Sequence, residues 1–269
     1  MGFSVLISVY SKENPKYFND ALCSIYDNQT RKPCQIVLVK DGLLTEELDL
    51  CITKWKEKLS DILTVIELPV NMGLAVALNT GLKECRYELV ARMDTDDISL
   101  PDRFEKQVSF MECNPDIVAS SAVIEERDEH LLNCIGRRDL PLEPNSIEKM
   151  AKWRSPLSHP VSIFRKSVVQ SVGGYPAFRT SQDYALWSLL LTKNYSMANM
   201  PDILHIQRAG NLLMNRRGVK FFKGECRLLR YQYNIGFLSS YEYMRNIFIR
   251  FIVRMSPNPI KSFLYKFIR

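Results

Sequence analysis

Phe3 to Val9 (FSVLISV) is an uninterrupted apolar, β-branched run, followed by Phe18, Leu22 and Ile25 at helical spacing between Pro15 and Asn28. A short run of this kind, apolar on both faces, reads as a strand buried on both sides. The couplet then repeats: Gln35 to Val39 with a helix over about Thr45 to Lys58, Ile62 to Leu68 with a helix over Gly73 to Cys85, and a fourth strand over Glu88 to Met93. Strands alternating with amphipathic helices predict a doubly wound α/β domain, a mostly parallel sheet flanked by helices on both faces. Each strand ends in residues that form strands poorly but suit ligand contact: Tyr10 and Ser11, Asp41-Gly42, Asn71 with Gly73, and the acids after Met93. Parallel connectivity places all of these at one edge, where open α/β sheets bind ligands.

The acids are the densest signal. Asp94, Asp96 and Asp97 fall within four positions of ELVARMDTDDISLPDRF. Carboxylates packed so closely repel one another unless water or a cation takes up their charge. Hard oxygen donors suit Mg²⁺ or Mn²⁺, held by one or two carboxylates together with substrate phosphates. Taken alone, a D-x-D pattern is more often a solvated turn before the helix that Pro101 starts than a metal site. A calcium EF-hand loop is excluded, because Ile98 and Ser99 stand where it needs a third oxygen donor and glycine. Asp41 before Gly42 reads either as an acceptor for a base or ribose or as an Asp-Gly turn. Asp183 falls in the first turn of a helix beginning at Ser181, which suits both a capping acid and a catalytic one. Neither G-x-G-x-x-G after the first strand nor a phosphate-binding G-x-x-x-x-G-K-[ST] occurs, which disfavours dinucleotide oxidoreductases and P-loop nucleotidases.

Beyond Asn114-Pro115 the pattern is harder to follow. Ile117 to Ile124 and His159 to Phe164 resemble strands, Gly173-Gly174-Tyr175-Pro176 a tight turn, and Ser181 onward a helix carrying Leu186, Trp187 and Leu190. The seven cysteines are odd in number, scattered and never in a C-x-x-C pair, which argues against a disulfide framework or zinc site and fits a reducing cytosol. No signal-peptide pattern precedes Phe3, and no apolar run approaches the roughly 20 residues of a membrane span.

The ordered set FSVLISVY, VLVKDG, NMGLAVALNTG, ELVARMDTDDISLPDRFEKQ, LSHPVSIFRKS with VGGY, and SQDYALW resembles the inverting family 2 glycosyltransferases of the GT-A fold that build bacterial O-antigen and exopolysaccharide. The likeness spans residues 3 to 225. It implies a GT-A domain over 1–225, with a nucleotide-sugar half to about 115 and an acceptor half over 116–225, followed by a helical tail over 226–269. It also implies a donor site of Val9, Tyr10, Asp41, Asn71, Gly73, Arg92, Asp94 and Asp96. By the same resemblance Asp94 and Asp96 hold Mn²⁺ or Mg²⁺, Asp183 is the catalytic base, and His159, Gly174, Tyr175 and Trp187 lie on the acceptor side.

The donor so implied is a UDP-sugar, the acceptor an undecaprenyl-diphosphate-linked saccharide, and the reaction hexosyl transfer, with β-1,3-glucosyl transfer one case. Three positions depart from the common pattern. Gln182 replaces an acid before the base, Leu78 replaces Arg before Asn79, and Arg208-Ala209-Gly210-Asn211 lacks the His of many relatives, leaving a third metal ligand unassigned. Arg208, Arg216 and Arg217 are candidates to neutralise the diphosphate. The alternatives are a nucleotidyltransferase, for which no Gly-rich basic N-terminal loop is present, and a non-enzymatic binding module built on the tail.

Residues 227 to 269 hold eight Lys/Arg against one Glu, more than the whole net charge of +6. Two short helices are expected there, broken at Ser256-Pro257-Asn258-Pro259. In the first, Ile247, Phe248, Phe251, Ile252 and Met255 oppose Arg250 and Arg254; in the second, Ile260, Phe263, Leu264 and Phe267 oppose Lys261, Lys266 and Arg269. Basic amphipathic helices of this kind suit an anionic membrane interface, or packing on the domain or a second subunit. Their basic residues alternate with large aliphatics rather than forming a stacking platform, which favours lipid over nucleic acid. The expected location is therefore cytoplasmic, peripheral to the inner face of the cell membrane.

Overall fold

The computed structural model describes residues 1–208 and 218–255. Strands β1 (Phe3–Val9), β2 (Gln35–Asp41), β3 (Leu63–Leu68) and β4 (Leu89–Met93) pair in parallel, separated in sequence by α1 (Pro15–Ile25), α2 (Glu46–Leu59) and α3 (Leu74–Glu84). Their apolar residues serve both faces, as period-two alternation requires. Phe3, Val5, Ile7 and Val9 pack with Phe18, Leu22, Trp55, Phe104 and Met111, whereas Leu6 joins Leu78, Leu82, Trp187 and Leu190 on the other side.

The sheet continues through β5 (Ile98–Ser99), β6 (Ile117–Arg127), β7 (Cys134–Arg138), β8 (Ile163–Arg165) and β9 (Ser196–Arg208) in the order β3-β2-β1-β4-β8-β6-β9-β5, with β7 on β6. Among the described residues it has nine strands, of which β5, β7 and β8 run against the rest. It is thus a mostly parallel sheet flanked by helices. The remaining helices are α4 (Arg103–Cys113), α5 (Pro144–Ala151), α6 (Lys166–Ser171), α7 (Gln182–Thr192), α8 (Gly218–Asn234) and α9 (Ser240–Met255).

The second half corrects the sequence reading in two places. His159–Val161 is a 3-10 turn rather than strand, since Pro160 supplies no N–H to a ladder, and only Ile163–Arg165 pairs. β9 is a long strand that periodicity does not reveal, because Pro201-Asp202 interrupts its alternation. The register against β6 shifts there, from Ala122 opposite Met200 to Val123 opposite Ile203.

Two buried polar side chains fix the frame. The Gln35 amide accepts from Ser4 Oγ and the Arg86 amide (both 2.8 Å) and donates to Thr64 Oγ1 (3.2 Å) and Glu84 O (3.0 Å). Its capacity is met across three strands and a loop. Arg103, fully buried on α4, donates to Arg92 O (2.6 Å), Pro160 O (3.3 Å) and Gln107 Oε1 (2.9 Å), and burial lowers its pKa to about 9. It ties β4 to the His159 turn.

The expected tail boundary at residue 226 falls inside α8. Its Leu228 packs on Tyr184 and Ala185, while Leu229, Phe237 and Leu238 enclose Ala151, so the helical extension is docked on the domain. The expected second tail helix, with Ile260, Phe263, Leu264 and Phe267, lies outside the described residues, as do Arg216 and Arg217.

Gly42 turns the chain out of β2 at φ +89°, where a Cβ would sit 2.6 Å from the Asn71 nitrogen. Gly73 has the same φ but an open Cβ position. Gly42→Ala is expected to cost about 2 kcal/mol or more and lower the thermal midpoint by roughly 4–8 °C. Gly73→Ala should cost about 1–2 kcal/mol from backbone strain alone, since φ +89° with ψ 158° favours glycine. Equal shifts in the two melting curves would remove the steric argument.

Candidate active site

The C-terminal ends of β1, β2 and β4 open onto a cleft of about 340 Å³ lined by Ser8, Tyr10, Glu13, Asp41, Asn71, Gly73, Leu74, Arg92, Asp94, Thr95 and Asp96. The loop after β1 is short because Asn14 starts α1 at once. Its side chain accepts from the Lys16 and Tyr17 amides (2.9 and 3.3 Å), and Pro15 occupies the first turn. This holds Glu13 just outside the helix, its amide donating to Tyr10 O (3.1 Å).

Asp41, almost wholly buried, accepts from the Met72 amide at 2.7 Å and the Gly73 amide at 3.0 Å, one oxygen each. It therefore clamps the β3–α3 loop to β2 while lining the cleft. The turn reading and the ligand-contact reading of Asp41 meet in one residue.

On the facing side Glu13, Asp94, Asp96 and Asp97 crowd together. Burial and the neighbouring acids raise both Asp96 and Glu13 to about 7, Asp97 and Asp94 acting on Asp96, and Asp96 acting on Glu13. Asp97 points away from the cleft. Its carboxylate takes His205 Nε2 at 2.8 Å and the Arg208 amide at 3.0 Å, fastening the acid turn to β9. Burial pushes Asp97 up and His205 down.

Arg92, also fully buried, donates through Nη2 to Asp94 Oδ1 at 2.5 Å, while its Nε and Nη1 have no acceptor among the described residues. Two buried unsatisfied donors are costly, and Arg92 borders the cleft. Behind it, His159 Nε2 and the Tyr175 hydroxyl are 3.1 Å apart. Burial, with Arg92 adding to it, lowers His159 to about 3, and burial raises Tyr175. Asp183, half-buried in the first turn of α7, acts electrostatically on both.

A model of the family described as "Glycosyl transferase family 2" matches residues 4–172. The chain belongs to that family. It is 41% identical to the amylovoran biosynthesis glycosyltransferase AmsE of Erwinia amylovora, over 98% of both chains. It is 34% identical to the UDP-Gal:alpha-D-GlcNAc-diphosphoundecaprenol beta-1,3-galactosyltransferase of Escherichia coli, over 98% of this chain and 95% of that one. Similar solved structures include S. aureus TarS 1-349 in complex with UDP-GlcNAc, at TM-score 0.64 and 19% identity over 94% of this chain and 73% of that one. The mannosyltransferase PcManGT of Pyrobaculum calidifontis, in complex with GDP-Man and Mn²⁺, gives TM-score 0.62 at 18% identity over 98% and 78%. The fold is the Rossmann-like GT-A α/β fold that the motif set implies.

Of the residues singled out in this family 2 transferase, the fold gathers Tyr10, Asp41, Asn71, Gly73, Arg92, Asp94 and Asp96 in one cleft. Others sit elsewhere. Val9 and Trp187 are core residues with no exposed surface, so their side chains support the site from beneath and cannot touch a ligand. Gly174 lines a separate hollow with Asn79, Leu82, Lys83, Gln170 and Gly173. Asp183 is not in the cleft wall, and its link to it runs through His159 and Tyr175. Arg208 turns towards α1, with its guanidinium 4.0 Å over the Tyr17 ring and 3.3 Å from Asp20 Oδ2, instead of into the cleft. Glu13 and Thr95 are additions. Glu13 follows the strand-end pair Tyr10-Ser11 by two residues, and that proximity was its only signal.

The donor set suits a divalent cation in one respect and limits it in another. Asp96 and Glu13 carry a charge that burial disfavours and a cation would relieve, and their oxygens are hard donors. No group of three His, Cys, Asp or Glu positioned as a metal cage occurs among the described residues. Phosphate or water oxygens would have to complete the coordination shell.

Because both acids are raised from ordinary carboxylate values near 4, their contribution to stability is full below that pH and is lost as pH rises through about 7. In EDTA, Glu13→Gln/Asp96→Asn should gain roughly 3–6 °C on the wild type between pH 5 and pH 8. Mn²⁺ should raise the midpoint of the wild type alone. A difference independent of pH would contradict the crowding described above.

Proposed function

We propose that the chain transfers a hexose, with inversion, from a UDP-sugar to a saccharide carried on a lipid diphosphate, in the assembly of O-antigen or another surface polysaccharide. The observation that carries this reading is the convergence of Asp41, Arg92, Asp94 and Asp96 on one cleft at the edge of the parallel sheet. The E. coli relative, whose name specifies a UDP-galactose donor, a diphosphoundecaprenol-linked acceptor and a β-1,3 linkage, supports the substrate classes. UDP-galactose and UDP-glucose are accordingly the first donors to consider.

Asp41 with the backbone at Val9 and Tyr10 would receive the uracil, and Asn71 and Gly73 border the same end of the cleft. Asp94 and Asp96 would hold ribose and Mn²⁺ or Mg²⁺. When bound, such a cation supplies Lewis-acid stabilisation of the diphosphate leaving group. The free N–H groups of Arg92 would donate to oxygens of the donor sugar or its phosphate. Its ion pair with Asp94 fixes the guanidinium in place for that role.

Displacement forms a bond from the acceptor oxygen to the anomeric carbon as the bond to the phosphate oxygen breaks, and the acceptor proton must leave. Asp183 is the group assigned to take it. His159 is a poor candidate: burial holds it neutral with a pKa of about 3, and its Nε2 is engaged with Tyr175. His159 and Tyr175 act instead as a neutral wall beneath the acceptor.

Asp183→Asn should lower kcat by about 10²–10⁴-fold, with UDP affinity unchanged by calorimetry. Turnover near wild type would remove the assignment. A panel of UDP- and dTDP-sugars, offered with GlcNAc- and GalNAc-diphosphate-lipid acceptors, should give one active pair that EDTA abolishes. No product from any pair, together with no UDP-sugar binding, would overturn the transferase reading.

A further inference from the structure

The hairpin of α8 and α9 is built inside out for a soluble helix pair. Arg250 and Arg254, the basic side of α9, turn inward onto one carboxylate. Arg250 Nη1 donates to Glu225 Oε1 at 2.6 Å, and Arg254 Nε and Nη2 donate to Glu225 Oε2 and Oε1 at 2.9 and 2.8 Å. Arg250 also donates to Trp153 O at 3.0 Å, and Asn246 to Lys152 O at 2.7 Å.

With its polar side spent on the domain, α9 faces outward with Tyr241, Met244, Phe248 and Phe251, which are 75%, 62%, 64% and 49% exposed. They recur at the spacing of a single helical stripe. Sequence periodicity sets Arg250 and Arg254 opposite the apolar face, and their pairing with Glu225 turns that basic side towards α8.

The outward charge comes from α8 instead. Lys223, Arg227 and Arg230 are exposed at helical spacing, and none has an ion-pair partner among the described residues. The helices pack side by side through Phe222 and Phe251, ring centroids 5.7 Å apart, so the exposed cations of α8 and the exposed apolar stripe of α9 belong to one hairpin. At one end Arg245 lies 3.3 Å over the half-exposed Trp153 ring and 5.8 Å from Tyr241, a cluster with apolar bodies and polar tips. No helix among the described residues is long and apolar enough to cross a membrane.

We propose that the outer face of this hairpin docks on an anionic bilayer surface, with Met244, Phe248 and Phe251 entering the acyl boundary and Lys223, Arg227 and Arg230 meeting lipid phosphates. Charge complementarity selects this occupant: a second copy of the face would set the two cationic stripes against each other. The proposal deepens the proposed function and rests on it for the purpose of docking, which is to bring the active site to a lipid-borne acceptor.

The full chain should sediment with vesicles of phosphatidylethanolamine and phosphatidylglycerol, more weakly with phosphatidylcholine, and less as salt rises. Met244→Glu/Phe248→Glu should lower the partition coefficient at least about tenfold. Lys223→Glu/Arg227→Glu/Arg230→Glu should lower it similarly and abolish the salt dependence. All five positions are exposed, so melting temperature and UDP binding should be unchanged, as should transfer to a short-chain, water-soluble acceptor.

The proposal is overturned if the wild type stays in the supernatant with anionic vesicles, or if both variants sediment like it. It is equally overturned if Met244→Glu/Phe248→Glu only converts a dimer into a monomer in light scattering. Vesicle binding that persists in a chain with no UDP-sugar binding would instead count against the transferase reading and leave the docking face standing.

Discussion

Four carboxylates meet where β1 and β4 end, and much of the surrounding architecture manages their mutual repulsion. Asp97 is drawn out of the cleft by His205 and the Arg208 amide, which also pins β9 to the acid turn. Asp94 is held by Arg92, itself braced from behind by Arg103 through the Arg92 carbonyl. Asp96 and Glu13 have no such partner of their own, and both are raised to about 7. The protein thus gives two of its acids internal hydrogen-bond partners and leaves two lining the cleft.

The first half of the fold was legible because its order is local. β1, β2 and β4 are almost wholly buried runs at strand length and β3 is a partly buried edge strand, β1 to β3 are each followed by a helix, and the acid turn follows the fourth strand directly. The strand-end residues Tyr10, Asp41, Asn71, Gly73 and Asp94 then fall together by topology alone. The second half depends on partners distant in sequence. β9 is a strand because β6 and β5 lie on either side of it, and His205 matters only because Asp97 is 108 residues away. Helical spacing likewise gave Trp187 a face, but only packing reveals that the face is the core. Glu13 was missed for a related reason: a single acid in a polar loop has no signature until the loop is closed by Asn14 and brought against Thr95 and Asp96.

The relatives and the fold agree on family, while the chemistry specific to this chain rests on side chains that the family pattern leaves open. Arg92 is the clearest of these. Burying a guanidinium in a sheet with two of its donors unmet is unfavourable unless something arrives to meet them. Its position between Asp94 and the His159–Tyr175 pair places those donors between the acid turn and the helix carrying Asp183.

Glu225 has a role out of proportion to its size. An amphipathic helix can be docked with either face inward, and for α9 one carboxylate captures Arg250 and Arg254 together while Asn246 bonds Lys152 O and Ile247 packs on the cluster of Ala151 and Leu229. The roll angle of the helix about its own axis is therefore held in part electrostatically, by a residue on a different helix. A change of sign at position 225 would favour rotation of α9, burying Phe248 and releasing the two arginines outward. The chemical character of that entire surface is thus encoded at a position that is not part of it.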